Sequence, residues 1–139
     1  MDKIRIQGLD LNSKFSDAVK LYGTDYSKIK VGQAEQYHWN STNLRIDAFG
    51  EKILRITSNQ VRIDGRQIVA ANETPSSLLA KIGEPDHRFY GQHGEPCFSW
   101  NSGFQASFYD VQEEFKSFSD FSLTSDPSIH SDEPFANKE

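Results

Sequence analysis

Val61-Arg62-Ile63-Asp64-Gly65-Arg66-Gln67-Ile68-Val69 reads as a β-hairpin. Apolar residues alternate with polar ones on both sides of Asp64-Gly65. A two-residue Asp-Gly turn matches the twist of an antiparallel pair because both turn positions take positive φ. The same pattern stands near the start of the chain. Ile4-Arg5-Ile6-Gln7-Gly8 leads to Leu9 and Leu11, with Gln7-Gly8 as a weaker version of the turn.

The correspondence continues in order. Val19-Lys20-Leu21-Tyr22-Gly23 returns as Leu79-Ala80-Lys81-Ile82-Gly83, and Tyr37-His38-Trp39-Asn40-Ser41 returns as Phe98-Ser99-Trp100-Asn101-Ser102. Residues 44–49 are matched by 104–109, and the offset drifts from 57 at Gly8/Gly65 to 62 at Ile56/Phe118. Such order implies one small unit used twice, at 3–58 and 60–122. A unit of about 55 residues is marginal alone, so the two are expected to form one compact body with a shared core or sheet.

Each unit is expected to run β-β-α-β-β-β, an α+β fold with antiparallel sheet and one helix per unit packed on one face. In the first, Ser13 or Ser16 would cap a helix that carries Phe15, Val19 and Tyr22 on one side and stops at Gly23. In the second, Thr74 is the N-cap, Pro75 sits at the first helical position, Leu78, Leu79 and Ile82 form the buried stripe, and Gly83 ends it. Residues 26–33 and 87–95 read as loop or irregular strand. Strands follow at 35–39, 44–49 and 53–57, and again at 97–100, 105–109 and 115–118. From about Ser122 the chain turns to Ser, Asp, Pro and Glu, and 123–139 is expected to be a disordered acidic tail.

Period-2 alternation divides the strands. Leu44, Ile46 and Ala48, with Phe104, Ala106 and Phe108, should lie under the helices, extended by Tyr37, Trp39, Phe98 and Trp100. The other face would carry His38, Arg45, Asp47, Phe49, Ile53 and Arg55, with Ser99, Gln105, Ser107, Tyr109, Phe115 and Ser117. Aromatic and Arg residues among polar groups are the composition of a protein-binding surface.

Composition narrows the function. The chain has 139 residues and a formal net charge of −5, divided as +3 over residues 1–72 and −8 over 73–139. An acidic half argues against nucleic acid, which needs a basic surface, and favours a basic partner protein. A single cysteine, Cys97, permits no internal disulfide and suits a reducing compartment. With no apolar leader or membrane-length run, the expectation is a cytoplasmic protein without membrane contact, monomer or homodimer.

Catalytic signals are sparse. His87, His93 and Cys97 stand as H-x5-H-x3-C, wider than short-range zinc spacings and without a fourth ligand, so no metal and no cofactor is expected. Cys97 between Pro96 and Phe98 reads as a small buried hydrophobe rather than a nucleophile. Glu113 and Glu114 are adjacent and point to opposite sides of a strand, which makes them poor partners for paired-carboxylate chemistry. The chain is read as a non-enzyme. A small-ligand or structural dimeric module, and a metal-assisted enzyme built on His87, His93 and Cys97, are the alternatives.

Ser76-Ser77-Leu78-Leu79-Ala80-Lys81-Ile82-Gly83-Glu84-Pro85-Asp86 resembles the helix exit of tandem helix-plus-meander proteins, among them the β-lactamase-inhibitor-like architecture and the small outer-membrane assembly lipoproteins. Gly23-Thr24-Asp25 departs from it by lacking the Pro, and no lipobox cysteine stands near residue 1. Residues 3–122 are also similar in style to predicted immunity proteins encoded beside polymorphic toxins. That resemblance implies a bacterial protein that binds a cognate secreted toxin and occludes its active site. The partner-binding residues expected on this reading are Phe49, Tyr109 and Phe115 as aromatic anchors. Asp47, Asp86, Asp110, Glu113 and Glu114 are the expected charged contacts.

Overall fold

The computed structural model describes residues 3–91, 94–109 and 118–125. Among these residues it is an α+β structure of two α-helices and two antiparallel sheets. In chain order the elements are β1 (Ile4–Arg5), α1 (Phe15–Tyr22), β2 (Ser27–Val31), β3 (Ala34–Trp39), β4 (Leu44–Phe49), β5 (Lys52–Ser58), β6 (Gln60–Ile63), β7 (Arg66–Val69), α2 (Pro75–Ile82), β8 (His87–Tyr90), β9 (Pro96–Ser99), β10 (Phe104–Tyr109) and β11 (Phe118–Thr124).

The hairpin turns form where local chemistry favours them. Gln7 and Gly8 take φ of 55° and 82°, and Asp64 and Gly65 take 50° and 86°. Both pairs thus adopt the double positive φ that a two-residue hairpin requires. In the first, Ile6 and Leu9 exchange backbone hydrogen bonds of 2.9 and 3.0 Å. The hairpins then join, because β1 pairs with β6 (Ile4 opposite Ile63), giving the small sheet the order β1-β6-β7.

The helices start differently. At α2 the Thr74 hydroxyl accepts from the Ser77 amide at 3.1 Å while the Ser77 hydroxyl accepts from the Thr74 amide at 2.8 Å, with Pro75 at the first position. This reciprocal box satisfies two end groups from within four residues. At α1 the N-cap is Lys14, not Ser13 or Ser16. Lysine offers no acceptor, so the turn between β4 and β5 supplies one. Phe15 and Ser16 amides donate to the Glu51 carbonyl (3.0 Å) and carboxylate (2.9 Å). Both helices end at glycine with positive φ, Gly23 and Gly83.

Eight strands form the large sheet in the order β2-β3-β4-β5-β11-β10-β9-β8. Each helix is followed by four strands, not three. Residues 26–33 and 87–95, expected as loop or irregular strand, contain β2 and β8. These are the two edges, where neither face is well covered and no burial pattern marks the strand. The last strand runs Phe118–Thr124, so Leu123 and Thr124, assigned to the tail, belong to the sheet. Phe121 and Leu123 are buried on its helix side. Ile56 lies opposite Ile46, whereas Phe121 lies opposite Ala106 and Phe118 opposite Tyr109.

One apolar cluster joins the layers. Ile6 and Leu9 of the first hairpin and Val61, Ile63 and Ile68 of the small sheet meet Ala18 of α1, Leu78 of α2 and the helix side of the large sheet. Leu44, Ile46, Ala48, Phe104, Ala106 and Phe108 are all buried there, as expected, with Tyr37, Trp39, Phe98 and Trp100 beside them. Ile53 also lies in this core. A bulge at Leu54 shifts the register between Asp47 and Ala48, so Ile53 pairs with Ala48 and Arg55 with Asp47. An inserted residue reverses the alternation, which is why Ile53 is not on the outer face.

Candidate functional site

The side of the large sheet away from the helices carries mostly polar side chains. Backbone register sets one residue from each strand in a row: Ser27, His38, Arg45, Thr57, Ser122, Gln105, Ser99 and His87. A second row runs Ile29, Gln36, Asp47, Arg55 and Thr124. Cys97 and Ser107 stand in a third, with Asp120 and Phe89 at its ends.

Much of this polar face is buried. Arg55, Thr57, Ser99, Gln105, Ser107, Ser122 and Thr124 are each at most 8% exposed. Buried polar groups are normally paired, since an unmade hydrogen bond costs about 1–3 kcal/mol. Thr57 and Ser122 hydroxyls meet at 3.0 Å across the central β5–β11 seam, an Arg55 Nη1 donates to Gln105 Oε1 at 3.4 Å, and Cys97 Sγ lies 3.4 Å from Ser107 Oγ. Among the described residues, three buried atoms of the face have no such partner: Arg45 Nε, Asp47 Oδ1 and Ser99 Oγ.

At the β2 end the face opens into a groove of about 240 Å³ lined by Val31, Ala34, Gln36, Asp47, Leu54 and Arg55. Its apolar wall exists because the bulge displaces Leu54 from the core. Phe49, 58% exposed, stands at the end of β4 beside it.

Around the edge, Tyr37 Oη donates to Glu35 Oε1 at 2.7 Å. That bond, with Lys28 and Lys30 nearby, holds the Glu35 carboxyl below its ordinary range. Burial first, and then Glu35, push the Tyr37 phenol up to about 12.

The expected contact residues separate. Asp47 and Phe49 lie on the polar face. Asp86 does not join them: its carboxylate accepts the Asn101 amide at 2.7 Å and pins the turn after Trp100. It precedes β8, five strand spacings from β4, or about 24 Å away. Tyr109 pairs with Phe118 in the backbone register, in the alternation of Gln105 and Ser107. Asp110, Glu113, Glu114 and Phe115 lie outside the described residues, as does His93. His87 is exposed on edge strand β8, and Cys97 is buried on β9. Among the described residues no cluster of three or more His, Cys, Asp and Glu could hold a metal ion, and no helix is long and apolar enough to cross a membrane.

Sequence reasoning did not single out the orphan atoms of Arg45 and Ser99, or the groove. The polar alternation of β4, β9 and β10 carried the signal for the first two. The groove depends on β2 and on the bulge, which left none.

No family model matches the chain, and no curated protein matches its sequence. Two solved structures share the fold. A DUF4309 family protein (YjgB) from Bacillus subtilis superposes with a TM-score of 0.53 at 15% identity, over 85% of this chain and 84% of that one. A cysteine-rich secretory protein (SAV1118) from Staphylococcus aureus superposes with a TM-score of 0.54 at 12% identity, over 87% of this chain and 45% of that one. The chain thus spans less than half of the staphylococcal protein. At these identities the likeness extends to the fold alone.

Proposed function

We propose that the chain is a non-catalytic protein-binding module that acts by covering a partner's surface, an immunity-type inhibitor of a cognate bacterial toxin in the cytoplasm. The observation that carries this reading is the half-buried Arg45 and Asp47, each with a side-chain atom unpaired among the described residues, on one sheet face that also presents the exposed Phe49. Unpaired buried groups are tolerated where a partner completes them, and an exposed aromatic supplies the anchor. Asp47 and Phe49 are the central contacts on this reading, with Tyr109, Asp110, Glu113, Glu114 and Phe115 extending the surface. Asp86 serves the turn instead.

The scaffold is proposed to be a duplicated unit. Hairpin, helix and four-strand meander occur twice in the element order, and the strand order reads 2-3-4-5 toward the centre and 8-9-10-11 from the other edge. The Thr57–Ser122 pair lies at the centre of that pseudo-symmetry. The units share a core and differ on the outer face, where Arg45 and Asp47 correspond to Gln105 and Ser107. Function is accordingly placed on one composite face and not in a repeated site.

Co-expression with a toxic protein encoded beside it is expected to restore growth. Asp47→Ala with Phe49→Ala is expected to abolish rescue while leaving the unfolding midpoint near that of the parent. Continued arrest with the parent chain would overturn the toxin reading. Full rescue by the double variant would overturn the face.

A further inference from the structure

Strand β2 is exposed at all five positions and is an edge of the large sheet. β3 pairs with it on one side, and among the described residues no strand pairs with it on the other. Such an edge offers a row of backbone donors and acceptors to an incoming strand.

Its side chains divide by chemistry. Lys28 and Lys30 lie on the helix side, opposite Tyr37 and Glu35. Ile29 and Val31 lie on the other side, opposite Gln36 and Ala34, and are 58% and 52% exposed. Val31 and Ala34 also wall the 240 Å³ groove, with Phe49 beside it. On the lysine side Lys28 Nζ approaches the Glu35 carboxylate at 3.7 Å, and Lys30 is the register partner of Glu35.

We propose that β2 is a docking edge for a partner protein whose extended segment alternates acidic and apolar residues. In antiparallel or parallel pairing, alternate residues of the incoming strand fall on the two sides. Acidic residues on one side meet Lys28 and Lys30 as cross-strand pairs, and apolar residues on the other cover Ile29 and Val31. The same pattern disfavours a second copy. Antiparallel self-pairing centred on Ile29 sets Lys28 against Lys30 twice, and parallel in-register pairing sets each lysine on itself. Like charges directly opposite destabilise a ladder. This edge is independent of the toxin reading, since it requires neither Asp47 nor the orphan atoms.

The test uses the full chain, uniformly labelled for amide NMR. A short end-blocked peptide of alternating Glu and Val is titrated at low salt against one of alternating Lys and Val. The Glu peptide is expected to shift amides of residues 27–31 and their β3 partners, and to bind roughly tenfold more tightly than the Lys peptide. The double variant K28Q/K30Q, both positions being exposed and no like charge being set opposite Glu35, is expected to keep its unfolding midpoint and to lose the preference. Equal binding of the two peptides, unchanged preference in the folded variant, or shifts confined to the β8 edge would each overturn the proposal. So would concentration-dependent dimerisation of the peptide-free chain through the same amides.

Discussion

The two faces of the large sheet obey different rules. On the helix side Leu44, Ile46, Ile56, Phe104, Phe108, Phe121 and Leu123 are at most 3% exposed and interlock with aromatic rings. On the other side residues of similar burial are Ser, Thr, Gln and Arg, and the Ser99 hydroxyl lacks a partner among the described residues. Equal burial therefore contributes unequally. Apolar burial stabilises the fold, and polar burial at best recovers what desolvation costs. The difference separates a surface that holds the protein together from one that contributes little to stability.

The largest expected effect tests the apolar side. Phe104 is fully buried, with ring centroids 5.3 Å from Trp100 and 5.6 Å from Phe121. Phe104→Ala is expected to cost about 3–5 kcal/mol in urea unfolding. A cost below about 1 kcal/mol would break the distinction between the faces.

The next effect is a pH dependence owned by the apolar side. Tyr37 is buried there, with its phenol raised from 10.0 to about 12 by burial and by Glu35. An acid whose folded pKa lies above its unfolded value favours the folded state while protonated. Its contribution is complete below pH 10 and is lost as pH rises toward 12. Urea midpoints are expected to fall across that window, and Tyr37→Phe is expected to flatten the fall. Tyrosinate absorbance should show Tyr37 still protonated at the start of the window.

What the sequence made legible was local. Asp64-Gly65, Gln7-Gly8 and Thr74-Pro75 through Gly83 carry their geometry within a few residues, and those turns and that helix form as read. What was missed was set from afar. The start of α1 depends on Glu51, thirty-five residues from Ser16. The strands β2 and β8 are defined by neighbours, not by burial. Ile53 changed face because of one inserted residue. The candidate site divides the same way. Asp47 and Phe49 were legible by alternation, whereas Asp86 was a surface carboxylate whose partner, the Asn101 amide, no pattern announces.

A pair of tryptophans sharpens the comparison within the apolar side. Trp39 Nε1 donates to the Gly23 carbonyl at the end of α1, 3.0 Å away. Trp100, just after β9, is 5% exposed, and its Nε1 has no partner among the described residues. Phenylalanine removes the donor at both sites with a similar loss of volume. Trp39→Phe is therefore expected to cost about 1 kcal/mol more than Trp100→Phe. Equal costs would mean that the Gly23 bond contributes nothing net.

The smallest effect carries the opposite sign. Ser99 is fully buried, its hydroxyl has no partner, and its carbonyl is engaged by the Asp86 amide at 3.0 Å. Ser99→Ala deletes one oxygen and no hydrogen bond of the described fold. Removing an unsatisfied buried hydroxyl recovers its desolvation penalty, less a small void. The unfolding free energy is expected to rise by up to about 1 kcal/mol. A loss of that size would mean that the hydroxyl is satisfied in solution.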